Sequence, residues 1–293
     1  MSITLKNDQI ELQMDLPNEN YVGTRFDYTG KITSLKYNNI QISGLESLDS
    51  KQDNFLGKGF YNEFGIDKPF NFENTLKNEW FHKIGVGSLK KTEDAYYFHK
   101  VYEKQPIDFK IDKTDISLIT ECTSTNLNGH AYKLTKKVTI LENEFSINYL
   151  LENIGKKDII TTEYVHNFLA INNDAIGPNY ILKFPFELKT ELFNEILNSE
   201  KKVVFEKANI TFIETPNKDY FFSNISGDKE VKAQWELLNI KHQIGIRETG
   251  NFNTNKINLW GVQHVICPEL FYHIHVKPNT SQAWSRTYSM FNI

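Results

Sequence analysis

Apolar and polar residues alternate along most of this chain. At residues 3–6, ITLK, and 10–14, IELQM, every second side chain is apolar. The same alternation runs through 96–101, 109–116, 137–140, 145–151, 202–205, 210–213, 234–238 and 243–246. A period of two sends successive side chains to opposite faces of an extended backbone, so these segments predict half-buried strands. Short polar turns separate them, among them 36–39, KYNN, 141–144, LENE, and 226–228, SGD. Many strands with hairpin-sized gaps pack as a sandwich or barrel. Only 188–198 reads as a short helix. There is no internal repeat, low-complexity tract or Pro/Gly linker, so a single all-β domain over residues 1–293 is expected.

Two stretches break the alternation. Residues 55–87, FLGKGFYNEFGIDKPFNFENTLKNEWFHKIGVG, read as a long irregular excursion, and such loops in compact domains tend to carry function. Residues 250–269, GNFNTNKINLWGVQHVICPE, precede an expected strand at 270–276.

Composition excludes several classes of partner. Lys and Arg number 33 against 37 Asp and Glu, a net charge of −4, and nucleic-acid binders carry a basic footprint instead. Two cysteines, Cys122 and Cys267, make neither a disulfide framework nor a cysteine zinc cluster. No run of about 18 apolar residues is present, so no membrane span is expected. The opening MSITLKNDQIELQMDLPNEN lacks the apolar region of a secretory signal, and a cytoplasmic location is the expectation. Aromatics make up 13% of the chain. They favour strands, and in a cleft their faces make platforms for sugar rings. Asn is abundant and Gly sparse, and Asn can take turn positions that Gly would otherwise fill.

Few residues look able to carry chemistry. His166 lies in 162–168, TEYVHNF, where Thr162, Tyr164, His166 and Phe168 share one strand face. A histidine there is either a satisfied core residue or a proton donor. Glu269 follows Pro268, which cannot donate to a sheet ladder and so marks a bulge, an edge or a strand start. A carboxylate there is either a solvated strand start or, desolvated by its apolar neighbours, an acid whose pKa is raised towards that of a useful base. His273 and His275, two apart, project from one strand face, but no third ligand is in register, so no metal site is expected. No dinucleotide fingerprint, phosphate-binding lysine loop or serine nucleophile elbow occurs, which disfavours nucleotide cofactors and serine hydrolysis.

Several segments together resemble the galactose mutarotase-like (aldose 1-epimerase-like) superfamily. Residues 23–35, GTRFDYTGKITSL, are similar to its first strands. Residues 162–167 resemble the strand whose histidine is the family's general acid. Pro268 and Glu269 stand where the family's C-terminal segment carries the general base. Residues 284–288, WSRTY, resemble its last strand, after a turn at 277–281, KPNTS. The Asn-Arg pair and Leu-His-Gly-Gly motif of standard galactose mutarotases are absent, so the chain resembles a divergent branch. The family's second histidine is therefore missing or replaced, with His82 and Lys83 as the candidate replacements.

The resemblance implies a supersandwich of large antiparallel sheets with its site in a concave sheet face. It implies mutarotation, the exchange of α and β anomers of an aldose, with no cofactor and no metal. Glu269 would be the base and His166 the acid. Arg25, Glu63, Lys83, Arg247 and His264 would bind hydroxyls or an anionic substituent, and Trp260 or Tyr164 would stack on the ring. A gap of about 5 to 7 Å between Glu269 and His166, the width of a ring, is expected for such a pair. The other readings are a carbohydrate-binding protein without turnover and a relative of polysaccharide lyases or hydrolases. In a lyase, Lys83, Arg25 and Arg247 would neutralise a uronate. The expected partner is a small sugar, and the expected assembly a monomer or homodimer.

Overall fold

The alternating segments pair into large antiparallel sheets in a computed structural model that describes every residue except Met1, Ser50, Gln52 and Asp53. The ten-stranded sheet runs in the order Val203–Glu206, Asn209–Phe212, Tyr180–Lys183, Val231–Asn239, Ile244–Thr254, Ser281–Asn292, Glu144–Asn153, Tyr132–Leu141, Ser117–Thr123 and Phe109–Lys113. The seven-stranded sheet runs Ile3–Lys6, Ile10–Asp15, Lys31–Tyr37, Phe60–Phe64, Ile159–Asn167 and Tyr272–Val276, with Ile40–Gln41 paired to Lys31–Tyr37. A four-stranded sheet, Glu195–Leu197, Tyr220–Ser223, Ile257–Val262 and Val265–Leu270, adjoins it. A three-stranded sheet is formed by Trp80–Lys83, Gly87–Lys90 and Lys104–Pro106.

The two largest sheets face each other across one core, as expected for layers that each bury an apolar face. Phe60 of the seven-stranded sheet meets Phe145 and Tyr288 of the ten-stranded sheet edge-on, with centroids 5.1 and 5.0 Å away. The same interface holds a fully buried ionic cluster. Arg286 bonds Glu248 at 2.6 Å and Glu163 at 2.7 Å, and Trp284 and Trp235 donate to the same two carboxylates. Asn takes left-handed turn positions that glycine often fills, as at Asn38, Asn39, Asn128 and Asn279.

Three expectations are corrected. Residues 188–198 do not form a helix: they hold a short 3-10 turn, Thr190–Leu192, and the edge strand Glu195–Leu197. The segment is largely exposed and has no apolar stripe to bury, and a helix that short is marginal without one. Residues 96–101 alternate but form turns. Tyr96 stacks on Tyr102, and the Tyr97 N–H donates to the Tyr102 hydroxyl, so local contacts replace a sheet partner. The excursion at 55–87 is partly regular. It supplies the strand Phe60–Phe64, deep in the seven-stranded sheet, and the strand Trp80–Lys83. All five residues of Phe60–Phe64 are buried, and a strand covered on both faces shows no alternation.

Candidate active site

The strand Ile159–Asn167 divides its side chains between two environments. Glu163 and Val165 face the main core, and Asn167 joins the buried ionic cluster. Tyr164 and His166, with Phe168 just beyond the strand, face the opposite way. This is the face the sequence assigned them. The neighbouring strand Phe60–Phe64 does the same, sending Phe60 and Phe64 to the core and Tyr61 and Glu63 to the His166 face.

The strand Val265–Leu270 brings Glu269 to that face. Ile266 and Leu270 enter the main core, while Val265 and Cys267 join the aromatic cluster around His166, so Glu269 follows them. Pro268 fits inside this strand because the strand is an edge. Ile266 directs its N–H and carbonyl to Leu169, away from Ile257–Val262, and Pro268, two residues on, points the same way. The N–H that proline lacks is therefore not needed for the ladder. Its carbonyl accepts from Asn167 Nδ2 at 2.7 Å.

His166 Nε2 and Glu269 Oε1 are 3.1 Å apart, in direct contact. This corrects the expected ring-sized gap. The anomeric hydroxyl and the ring oxygen of a sugar are both bonded to C1, so groups that address them need not straddle the ring. The imidazole stacks on Phe168 at 4.2 Å, with Phe26 and Trp260 against it edge-on. Burial disfavours charge on both members of the pair. It pushes Glu269 up to about 8, against the smaller opposing pull of Arg25, Lys256 and a hydrogen bond from Asn258. Burial, and then the positive charge of Arg25, hold His166 well below its ordinary value. Around neutral pH the pair therefore carries one proton, held mainly on the carboxyl.

A cavity of about 470 Å³ opens onto the pair, lined also by Arg25, Phe98, Phe221, Trp260, Lys256 and Asn258. Arg25 lies in the loop before Lys31–Tyr37. That loop is shaped by Tyr21, whose hydroxyl accepts from the N–H groups of Arg25 and Phe26. The Arg25 guanidinium bonds Glu63 at 2.9 Å, Glu46 at 3.1 Å and the Tyr164 hydroxyl at 3.1 Å. It lies between the rings of Phe26 and Phe98.

The other sequence candidates fall into two groups. Glu63, Lys83 and Tyr164 stand behind Arg25 rather than on the cavity wall. Glu63 is fully buried and accepts from Arg25, Tyr164 and Lys83, the last at 3.0 Å. Arg247 and His264 are not brought to the site. Glu248 points into the core, so its neighbour Arg247 points the other way, to Glu236 and over Phe291. His264 lies in the turn between Ile257–Val262 and Val265–Leu270. His82 is also elsewhere: it is buried against Phe70 and bonded to the His130 carbonyl, and burial lowers its pKa to about 4. His273 and His275 take separate partners, Asn255 and Asp158. Among the described residues, no three His, Cys, Asp or Glu side chains are grouped to hold a metal.

The sequence did not single out Glu46, Phe98, Phe221, Lys256 or Asn258. Two of these, Lys256 and Asn258, lie in the stretch 250–269 whose alternation breaks, which was the available signal.

No family model matches the chain, and no curated protein matches its sequence. Solved structures do match over its full length. The Slr1438 protein of Synechocystis sp. PCC 6803 aligns with a TM-score of 0.63 at 12% identity, over 100% of this chain and 96% of that one. A galactose mutarotase related enzyme of Lactobacillus acidophilus gives 0.60 at 10% identity, over 100% and 98%. An aldose epimerase homologue of C. elegans gives 0.58 at 11%, over 100% and 99%. The fold is that of the galactose mutarotase-like structures. At these identities the likeness establishes the galactose mutarotase-like architecture alone.

Proposed function

We propose that this chain is a mutarotase, interconverting the α and β anomers of an aldose at His166 and Glu269. The observation that carries the reading is the direct contact of a buried imidazole and a buried carboxyl on the wall of a cavity, with Trp260 beside them. Its matching architecture with proteins described as mutarotase-related and aldose epimerase-like supports the same reading.

A pair that shares one proton suits this reaction. Glu269 takes the proton from the anomeric O1–H as His166 gives a proton to the ring oxygen. The bond from C1 to the ring oxygen breaks and C1=O1 forms. Rotation about C1–C2 presents the other carbonyl face, and the reverse transfers close the ring to the second anomer. The proton must sit on His166 when ring opening begins. Lys256 and Asn258 favour the carboxylate form that this requires, whereas Arg25 favours the carboxylate but disfavours the imidazolium. The pair ends each cycle with the one proton it began with.

The lyase reading loses its cations. Arg25 and Lys83 are already bonded to Glu63 and Glu46, and Arg247 lies outside the cavity, so none of these three is left to neutralise a uronate. Anomer exchange measured by NMR or polarimetry on freshly dissolved pure anomers tests the proposal. Acceleration abolished by Glu269→Gln supports it. A protein that binds a sugar but accelerates no exchange is a binding protein.

A further inference from the structure

The cavity at the pair does not end at Asn258. A second cavity, of about 430 Å³, shares Asp67, Phe221, Lys256 and Asn258 with the first, so the two form one trough. Asn258 is the joint. It hydrogen-bonds Glu269 on one side, and on the other its Oδ1 accepts from the backbone N–H of Asn224 at 3.1 Å. Phe221 continues an apolar wall from one chamber into the next.

The second chamber is lined by groups suited to hydroxyls. Asn255 uses its Oδ1 on His273 at 2.7 Å, and among the described residues its amide nitrogen has no protein partner. The exposed side chain of Asn194 and the hydroxyl of Ser223 are likewise unengaged there. An amide offers a donor and an acceptor side by side, which matches neighbouring hydroxyls on a ring. The charges oppose an anion: Asp67, Glu195 and Asp228 line the chamber, and its lysine, Lys256, is already bonded to Asp67 at 2.7 Å.

We propose that the trough takes a neutral sugar of at least two rings, with the reducing-end ring against Glu269 and His166 and the next ring in the Asn194–Asn255 chamber. The orientation rests on the mutarotase reading; the second subsite does not. The class of substrate is then a neutral disaccharide or longer oligosaccharide with a free reducing end, not a sugar phosphate or uronate.

Calorimetric titration of the full chain with glucose, maltose and cellobiose tests this. At least one disaccharide is expected to bind roughly 10-fold more tightly than glucose. Asn194→Trp, which plugs the second chamber from an exposed position, is expected to abolish that preference and leave glucose binding unchanged. Asn255→Ala is expected to weaken it. Equal affinity for one ring and two, or a preference that survives Asn194→Trp, overturns the proposal even if glucose anomers are exchanged. Tight disaccharide binding lost in Asn194→Trp, with no anomer exchange, leaves the second subsite standing and removes the mutarotase reading. Failure to bind any of the three sugars removes the proposal.

Discussion

Asn167 donates to the carbonyl of Pro268 at 2.7 Å, tying the residue after His166 to the residue before Glu269. The same amide nitrogen donates to Glu248 at 2.9 Å, and its oxygen accepts from the Tyr288 hydroxyl at 2.9 Å. The spacing of the site pair is therefore set from the core side, by one buried side chain that joins three sheets. Asn167→Ala would remove a partner from three buried polar groups, at a cost of about 1–3 kcal/mol for each one left unsatisfied. Anomer exchange should fall through kcat more than through KM, because the pair is misplaced while the cavity wall remains. Denaturant melts together with sugar-dependent rates read both effects. Wild-type kcat in a destabilised Asn167→Ala protein would reject the positioning role.

The pair itself gives a second test. Glu269→Gln keeps the shape of the side chain but removes the base. Exchange should drop by roughly 100-fold or more, as for loss of general acid–base catalysis, while sugar still binds. His166→Asn should do the same from the acid side. The double variant should be little worse than either single one, since the two act on one proton transfer. Rates that multiply independently in the double variant would mean the two residues do not work as a pair.

Stability should carry the signature of the same burial. Glu269 rises from an ordinary 4.5 to about 8 in the fold, so the folded chain binds more protons than the unfolded one between these values. That term makes stability fall as pH rises through the window. His166 is lowered from 6.5, so its term makes stability rise with pH up to about 6.5 and then level off. The two oppose each other between about 4.5 and 6.5, and above that only the Glu269 term remains. From pH 6.5 to 8 the Glu269 contribution alone should cost about 2 kcal/mol, at 1.36 kcal/mol per unit. Denaturant midpoints across that range should slope down in the wild type and be flatter in Glu269→Gln. Parallel slopes would mean that Glu269 titrates near its ordinary value.

The sequence shows the solvent-facing parts of this fold better than the site. Segments such as 145–151 alternate because one side of the strand meets the core and the other meets water. Phe60–Phe64 and Val265–Leu270, which carry Glu63 and Glu269, are buried on both faces and lose that signal. Glu269 stands out in the sequence through Pro268 and the family resemblance instead. Phe98 and Glu46 reach the cavity from loops, where no periodicity says which way a side chain points. Arg247 shows the converse: a cation in a plausible stretch is sent to Glu236 because its neighbour Glu248 is claimed by Arg286 in the core.

Arg25 offers a test that separates charge from geometry. Its guanidinium holds Glu63 and Glu46 through different nitrogens, a fork that lysine cannot reproduce. Its charge also lowers both Glu269 and His166. Arg25→Met removes fork and charge together. It should cost about 3–5 kcal/mol, as for breaking a buried pair and leaving its partner uncompensated, although Lys83 still holds one oxygen of Glu63. With the cation gone, Glu269 and His166 should both titrate at higher pH. Exchange needs the one-proton form of the pair, bounded below by protonation of the second group and above by loss of the shared proton. Both limbs of the pH–rate profile should therefore move upward in Arg25→Met. Arg25→Lys keeps the charge and loses the fork, so it should be destabilised with its profile close to the wild type. Arg25→Lys also serves as the readable variant if Arg25→Met does not fold. A profile displaced equally in both variants would show that Arg25 acts on the pair through its contacts and not through its charge.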